Sequence, residues 1–311
     1  MRKSKTLILI FLVIIFNSKN LCALENKILF KIDNEIITTI DIYEEIKFLR
    51  VFNPEVNNLS EKNLLEISKN AIVREKIKKI EIMNYVNEIK VDNQFLLMFI
   101  KDKYSKIGLD TLESFENFLK NNNLNIDTVK EKIAIELIWN DIIFQKFNSK
   151  INIDKEKVRK EILKNSEKKV QKELSLSEIV FDITQKSEFQ KKYEKIILDI
   201  EQTGFKNAAL IHSISDTATT GGFIGWVKED NLNTTIRNQI KTLKIGQYSK
   251  PIRTSAGFLI IKVDDMKEYE VKFNLDKKIE EMIRFKTNEQ LNQFANIYFN
   301  KIKKDIIFDD L

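Results

Sequence analysis

The side chains that could do chemistry in this chain are few, and they are gathered. Six of the seven glycines lie between Gly204 and Gly257. The stretch Ser215-Asp216-Thr217-Ala218-Thr219-Thr220-Gly221-Gly222-Phe223-Ile224-Gly225-Trp226 sets four hydroxyls and a carboxylate just ahead of a glycine pair. Lys244-Ile245-Gly246-Gln247-Tyr248-Ser249-Lys250-Pro251-Ile252 and Ala256-Gly257-Phe258-Leu259-Ile260-Ile261-Lys262-Val263 follow it. Glycine reaches backbone angles that cost other residues energy, so this clustering marks a compact, turn-rich unit. The sole histidine, His212, stands outside these motifs and reads as an ordinary surface or hydrogen-bonded side chain. Elsewhere no Ser/His/Asp set, metal-ligand cluster or phosphate loop is found, so neither a metal nor an organic cofactor is expected.

The elements that must position this cluster can be read from hydrophobic period. Leu174 to Phe181 alternates like a strand, Phe189 to Glu201 has a helical pattern, a short helix is expected around Asn233 to Leu243, and Phe258 to Val263 reads as a closing strand. Everything around this unit is helical. Ile28–Ile32 and Glu35–Thr38 flank Asp33-Asn34 as a hairpin, and Thr39 is expected to cap a helix that Pro54 ends. Further helices are expected over Glu61 to Asn87, Phe95 to Tyr104, Thr111 to Leu119, Thr128 to Phe147 behind Asp127, and Lys155 to Asn165. A long amphipathic helix from Leu275 to Lys304 carries Ile279, Met282, Ile283, Leu291, Phe294, Tyr298 and Ile302, a stripe too long for the small unit to cover. The expected fold class is α+β: a mainly helical domain, an inserted small α/β domain, and a final helix returning to the helical part.

Arg2, Lys3 and Lys5 precede an apolar run from Leu7 to Phe16, and Leu21-Cys22-Ala23 follows, which is the order of a secretory signal peptide over residues 1–23. That run is too short for the ~20 residues that span a bilayer, so no stable membrane insertion is expected after cleavage. Cys22 is the only cysteine and lies at the expected cut, so the mature chain would hold no disulfide. The formal charge of +6 includes four leader cations (Arg2, Lys3, Lys5, Lys19), and the remainder is interleaved in sign. That describes a solvated surface rather than a nucleic-acid footprint.

The glycine loop, the short helix, the Gly-x-x-x-x-Pro-Ile turn and the Ala-Gly-Phe-x-Ile-Ile-Lys-Val strand, in that order, resemble the parvulin family of peptidyl-prolyl isomerases. The hairpin Ile32 to Thr38, the helices after it and the returning helix resemble the exported SurA-like foldases. The resemblance implies a helical chaperone domain at 24–168, a parvulin-like domain at 169–268, and a C-terminal helix at 269–311 that completes the helical domain. It also implies a periplasmic location and unfolded polypeptides, outer-membrane proteins among them, as partners.

Prolyl isomerisation breaks no covalent bond. Its barrier of about 18–20 kcal/mol is lost amide resonance, so a catalyst needs an apolar socket for the proline ring and polar groups that favour the twisted amide. Counted from the glycine loop, Ile224, Leu232 and Ile236 fall where the family lines that socket, with Trp226 and Phe258 close by. The family's two facing histidines are replaced by Glu178 and Leu259, and a leucine can neither donate nor accept a hydrogen bond. Of the polar apparatus only the acid before the glycines remains, at Asp216, or Ser215 if the loop differs by one residue. The resemblance thus implies a peptide-binding fold whose isomerase activity is weak or absent, with an active isomerase and a non-enzymatic envelope adaptor as the alternatives.

Overall fold

The computed structural model describes residues 26–164, 170–183, 185–270 and 275–310, so the expected leader lies outside the described residues. Strands β1 (Ile28–Ile32) and β2 (Glu35–Thr38) form the expected hairpin. Asp33 turns it with a φ of 49°, an angle that a short polar side chain tolerates better than most. A further strand, β7 (Phe308–Asp310), pairs antiparallel with the other side of β1 and gives a sheet of order β2-β1-β7. Three residues with two adjacent aspartates carry too little alternation to announce that strand in the sequence.

The helical body holds α1 (Thr39–Phe52), α2 (Glu61–Ile82), α3 (Asn93–Tyr104), α4 (Leu112–Asn121), α5 (Ile126–Phe147) and α6 (Lys155–Lys164). Side-chain caps set their starts. Thr38 and Asp41 form a reciprocal box at α1, Ser60 caps α2, Thr111 and Ser114 cap α4, and Asn125 caps α5. Each such cap contributes about 1 kcal/mol. The helices α1 and α5 therefore begin slightly ahead of the positions that Thr39 and Asp127 suggested, because Thr38 and Asn125 hold the oxygens that face the first free N–H groups.

Hairpin and helices share one core, in which Ile32 and Ile37 meet Ile72, Ile77 and Ile82 of α2 and Ile135, Trp139 and Ile142 of α5. The long C-terminal helix, α10 (Leu275–Asp305), enters the same core through Ala295 and Phe299. Phe294 stacks on Phe147 at 5.1 Å and Tyr298 on Trp139 at 5.8 Å. Its first half lies elsewhere, with Met282 buried among Val158 and Ile162 of α6.

Between α6 and α10 lies the α/β module: β3 (Val170–Phe181), α7 (Phe189–Thr203), α8 (Phe205–His212), β4 (Phe223–Lys228), α9 (Thr234–Ile240), β5 (Ile252–Thr254) and β6 (Gly257–Glu270). Its sheet is antiparallel throughout, of order β4-β3-β6-β5. β6 continues past the expected end at Val263 to Glu270 and pairs with β3 from Val170 to Phe181, with one irregularity between Ser175 and Leu176. The helix α8 has no counterpart in the sequence reading. Gly204, at φ 87°, ends α7 and lets the chain restart at once as a second short helix.

Alternation along β3 and β6 sorts the module into two faces. Leu174, Leu176 and Val180 with Leu259, Ile261 and Val263 pack against Leu232, Ile236 and Ile240 around α9. Ile179, Phe181 and Ile260 point the other way, onto Ile196, Ile200, Phe205 and Ala208 of α7 and α8.

Candidate functional site

Glu178 lies on β3 between Leu176 and Val180, and two hydroxyls answer it. Ser215 Oγ donates to Glu178 Oε1 at 2.7 Å and Thr217 Oγ1 donates to the same oxygen at 2.9 Å. The backbone makes this meeting possible. Glu178 N–H donates to the Gly222 carbonyl at 2.8 Å, and a Cβ on Gly222 would stand 2.1 Å from the Glu178 carbonyl oxygen. Only glycine, here at φ 81°, lets the loop approach so closely. Burial pushes the Glu178 carboxyl above the usual range against the pull of the Ser215 and Thr217 hydroxyls, and the charges of Asp216 and Glu289 push the same way. Both donors converge on one carboxyl oxygen, Oε1.

Leu259 pairs with Val180 across the β3–β6 ladder and is 6% exposed in the apolar cluster. The residue opposite Glu178 in the same ladder is Ile261, so both side chains that β6 sets near the carboxyl on this face are apolar.

Asp216, the acid singled out from the sequence, faces away from this set. Ser215 is extended, and a 3-10 turn from Asp216 to Thr220 ends at Gly221 with φ 69°, so neighbouring side chains leave the loop in different directions. The Asp216 carboxylate meets Lys78 Nζ at 2.8 Å and Arg74 Nη1 at 3.4 Å, both on α2 of the helical body. Lys78 is fully buried, also holds Glu136 at 2.8 Å, and lies 5.5 Å from the Trp139 ring. Arg74 also donates to the Ser213 carbonyl at 3.1 Å. Burial works to raise Asp216, but Lys78 and Arg74 hold its carboxyl below the usual range. Burial likewise pulls Lys78 down, while Asp216 and Glu136 hold it above the ordinary lysine value. The structure therefore sets Asp216 in an ion-pair network between module and body, and the site face keeps Glu178, Ser215 and Thr217. Thr217, Lys78 and Arg74 carried no signal in the sequence.

The apolar candidates divide as well. Leu232 and Ile236 come together, buried in the cluster beneath α9. Ile224 and Trp226 lie on β4, an edge strand, and remain 38% and 36% exposed, with the Lys267 ammonium 4.1 Å from the Trp226 ring. Phe258 sits on the opposite face, with its ring 5.5 Å from Phe181 and 4.6 Å from Phe189. His212 has its hydrogen-bond partner in Asp199, 2.5 Å from Nε2, and burial holds it below the usual histidine value despite that carboxylate.

The site face is not open to solvent along its whole length. Phe285 of α10 packs against the cluster that holds Leu232 and Ile236. On either side of it Lys228 pairs with Glu281, Asn233 Nδ2 donates to Glu289 at 3.3 Å, and Ser255 Oγ donates to Gln293 at 3.2 Å.

In the helical body, a cavity of about 210 Å³ between α1, α2 and α5 is lined by Asp41, Glu44, Glu75, Lys76 and Lys132 among others. That charged lining does not suit apolar polypeptide. Among the described residues no cluster of His, Cys, Asp and Glu could hold a metal, and no helix is long and apolar enough to cross a membrane.

Comparison with known proteins bears on the same segment. Residues 174–265 match the Rotamase family, described as the PPIC-type PPIase domain. The chaperone SurA of Hahella chejuensis is 30% identical over 156 residues, 47% of this chain and 36% of that protein. The chaperone SurA of Pseudomonas aeruginosa is 24% identical over 164 residues, 50% of this chain and 39% of that protein. These matches span less than half the length of either relative. A solved SurA-like chaperone of Campylobacter jejuni aligns over 92% of this chain and 99% of its own, at 17% identity and a TM-score of 0.36. The two faces packed about β3 and β6 thus fall in the segment that matches a PPIC-type PPIase domain, and the chain that carries it is similar to SurA chaperones over about half of its length.

Proposed function

We propose that this protein is a chaperone of the bacterial periplasm that holds unfolded polypeptide without nucleotide, and that its parvulin-like module binds peptide while isomerising proline weakly or not at all. The observation that carries the second half is the state of the site face. Glu178 is engaged by Ser215 and Thr217, Leu259 is sealed in the core, and Asp216 is spent on Lys78 and Arg74. These engagements leave no facing pair of polar side chains to favour a twisted amide over a planar one among the described residues, whereas Leu232 and Ile236 stay together in the apolar cluster. The first half is supported by the similarity to SurA and by the body's exposed apolar side chains. Phe95 and Met98 on α3, and Ile107 just beyond it, are each more than half exposed, a grouping that marks an interaction surface more often than chance. Outer-membrane proteins are the proposed clients.

A protease-coupled proline isomerisation assay on the full chain tests the catalytic half. Positioned polar groups contribute about 10²–10⁴-fold in rate, so kcat/KM should fall below that of a two-histidine parvulin by that factor. A value within tenfold of such a parvulin supports the active-isomerase reading instead. In the same preparation, near-stoichiometric protein should slow aggregation of an unfolded β-barrel client with and without ATP. Failure on several such clients would leave the envelope-adaptor reading.

A further inference from the structure

We infer that the α9 face of the module is a docking surface for this chain's own C-terminal helix, and that polypeptide reaches Leu232 and Ile236 only by displacing it. The identity of the competitor rests on the peptide-binding reading above; the contact itself does not. Glu281, Phe285, Glu289 and Gln293 recur every four residues along α10, which places them on one side of the helix. Each meets a different part of the module. Glu281 pairs with Lys228 at the end of β4, and Phe285 packs on the apolar cluster. Glu289 accepts from Asn233, the residue that caps α9, and Gln293 accepts from Ser255 in the β5–β6 turn. The stripe is aromatic at its centre and hydrogen-bonding at its edges, which is how a short helix is recognised in a groove.

Two anchors that do not involve the module hold this stripe in place. Met282 is buried against α6, and Phe294 and Tyr298 stack on α5. The module is gripped from a second side as well, where Asp216 enters the Lys78–Arg74 pair and Leu210 buries among Leu49, Leu64 and Ile67 of the body. Against these anchors the α10 contact is modest in kind: a half-buried aromatic ring among polar contacts, with Glu161 of α6 reaching both Arg237 of α9 and Lys286 of α10 at 3.5 Å. Local contacts of that kind open at a lower free energy than the fold as a whole. A site accessible only in a minor open state binds more weakly by the fraction of time it is open.

The test uses the full chain and a fluorescein-labelled peptide with an aromatic residue before proline, read by anisotropy. Phe285→Ala removes the central ring, and peptide affinity should rise about tenfold or more if the open state is ~10% populated or less. If that variant does not fold, Glu289→Ala with Gln293→Ala gives the same readout. In a Cys22→Ser background, Asn233→Cys and Glu289→Cys can be bridged with a short bifunctional methanethiosulfonate. The bridged protein should lose at least tenfold in peptide affinity and recover it on reduction. Peptide binding that is unchanged by loosening and by bridging overturns the inference, as does failure of the bridge to form. If no form binds peptide, yet the bridge forms fully and slows amide exchange over residues 234–240, the docking stands and the peptide-binding reading fails.

Discussion

Two lysines in this molecule, Lys78 fully buried and Lys132 half-buried, do the same chemistry with different reach. Lys132 of α5 lies between Glu45 of α1, at 2.6 Å, and Glu75 of α2, so its network is confined to the helical body. Lys78 of α2 lies between Glu136 of α5 and Asp216 of the module, at 2.8 Å each, and joins two parts of the chain. Their charge balance differs too. One cation serves two acids in the first network, and burial pushes Glu45 above the usual range although Lys132 opposes it. In the second, Arg74 supplies another cation, and Asp216 is held below its usual value. A buried carboxylate becomes a firm contact when the cations of its network match the acids in number, and a strained one when two acids share one cation.

The sharpest way to break this comparison is to remove the lysines one at a time. Lys132→Met leaves Glu45, 4% exposed, beside Glu75 without its ion-pair partner. Breaking a buried pair from one side costs about 3–5 kcal/mol, so the unfolding free energy of the whole body, read by denaturant titration, should fall by that amount. A loss under about 1 kcal/mol would mean that the network is solvated.

Lys78→Met should cost less, about 2–3 kcal/mol, because Arg74 still faces Asp216 and Glu136 is one-third exposed. The loss should also be local. Amide exchange over residues 205–222 should accelerate while α2 and α5 keep their protection. Uniform acceleration across the body would show that Lys78 is a core residue and not a joint between module and body. The pH dependence follows from the lowered Asp216 value. Its stabilisation is complete above the unfolded carboxyl pKa near 4 and is lost only as pH falls through the lower folded one. The 205–222 segment should therefore exchange no faster at pH 5 than at pH 7, after correction for intrinsic rates.

This difference also marks what a sequence can and cannot show. The Gly221-Gly222 pair was legible because left-handed backbone angles leave a residue-type signature, and both glycines take them, at φ 69° and 81°. The stripe of α10 was legible because a long apolar period has to be covered, and Phe294 and Tyr298 show where. Asp216 was legible as an acid beside a glycine loop but not as a partner of Arg74, 142 residues away. Nothing in either neighbourhood encodes that pairing. The helix α8 escaped because Phe205 to His212 is only about two turns long, too short for periodicity to separate from a loop. The cover over the site escaped for a related reason: Glu281, Glu289 and Gln293 look like a solvated helix face until Lys228, Asn233 and Ser255 are brought beneath them.

The smallest expected effect tests whether Glu178 follows the strained pattern of Glu45 or the firm one of Asp216. Among the described residues no cation pairs with Glu178; its partners are the hydroxyls of Ser215 and Thr217, and Asp216 and Glu289 add unfavourable charge. Glu178→Gln keeps an oxygen for both hydroxyls and removes the buried charge. Because the folded pKa is raised, the stability linked to Glu178 is complete below its unfolded value near 4.3 and declines as pH rises through the folded one. The glutamine variant should therefore be more stable than the unmodified chain at pH 7, by about 1 kcal/mol or less, and the advantage should vanish on approach to pH 4. Thermal unfolding of both proteins across that range reads the difference directly. A variant less stable at pH 7, or one whose advantage grows in acid, would place Glu178 with Asp216 and would mean that a cation reaches the site face in solution.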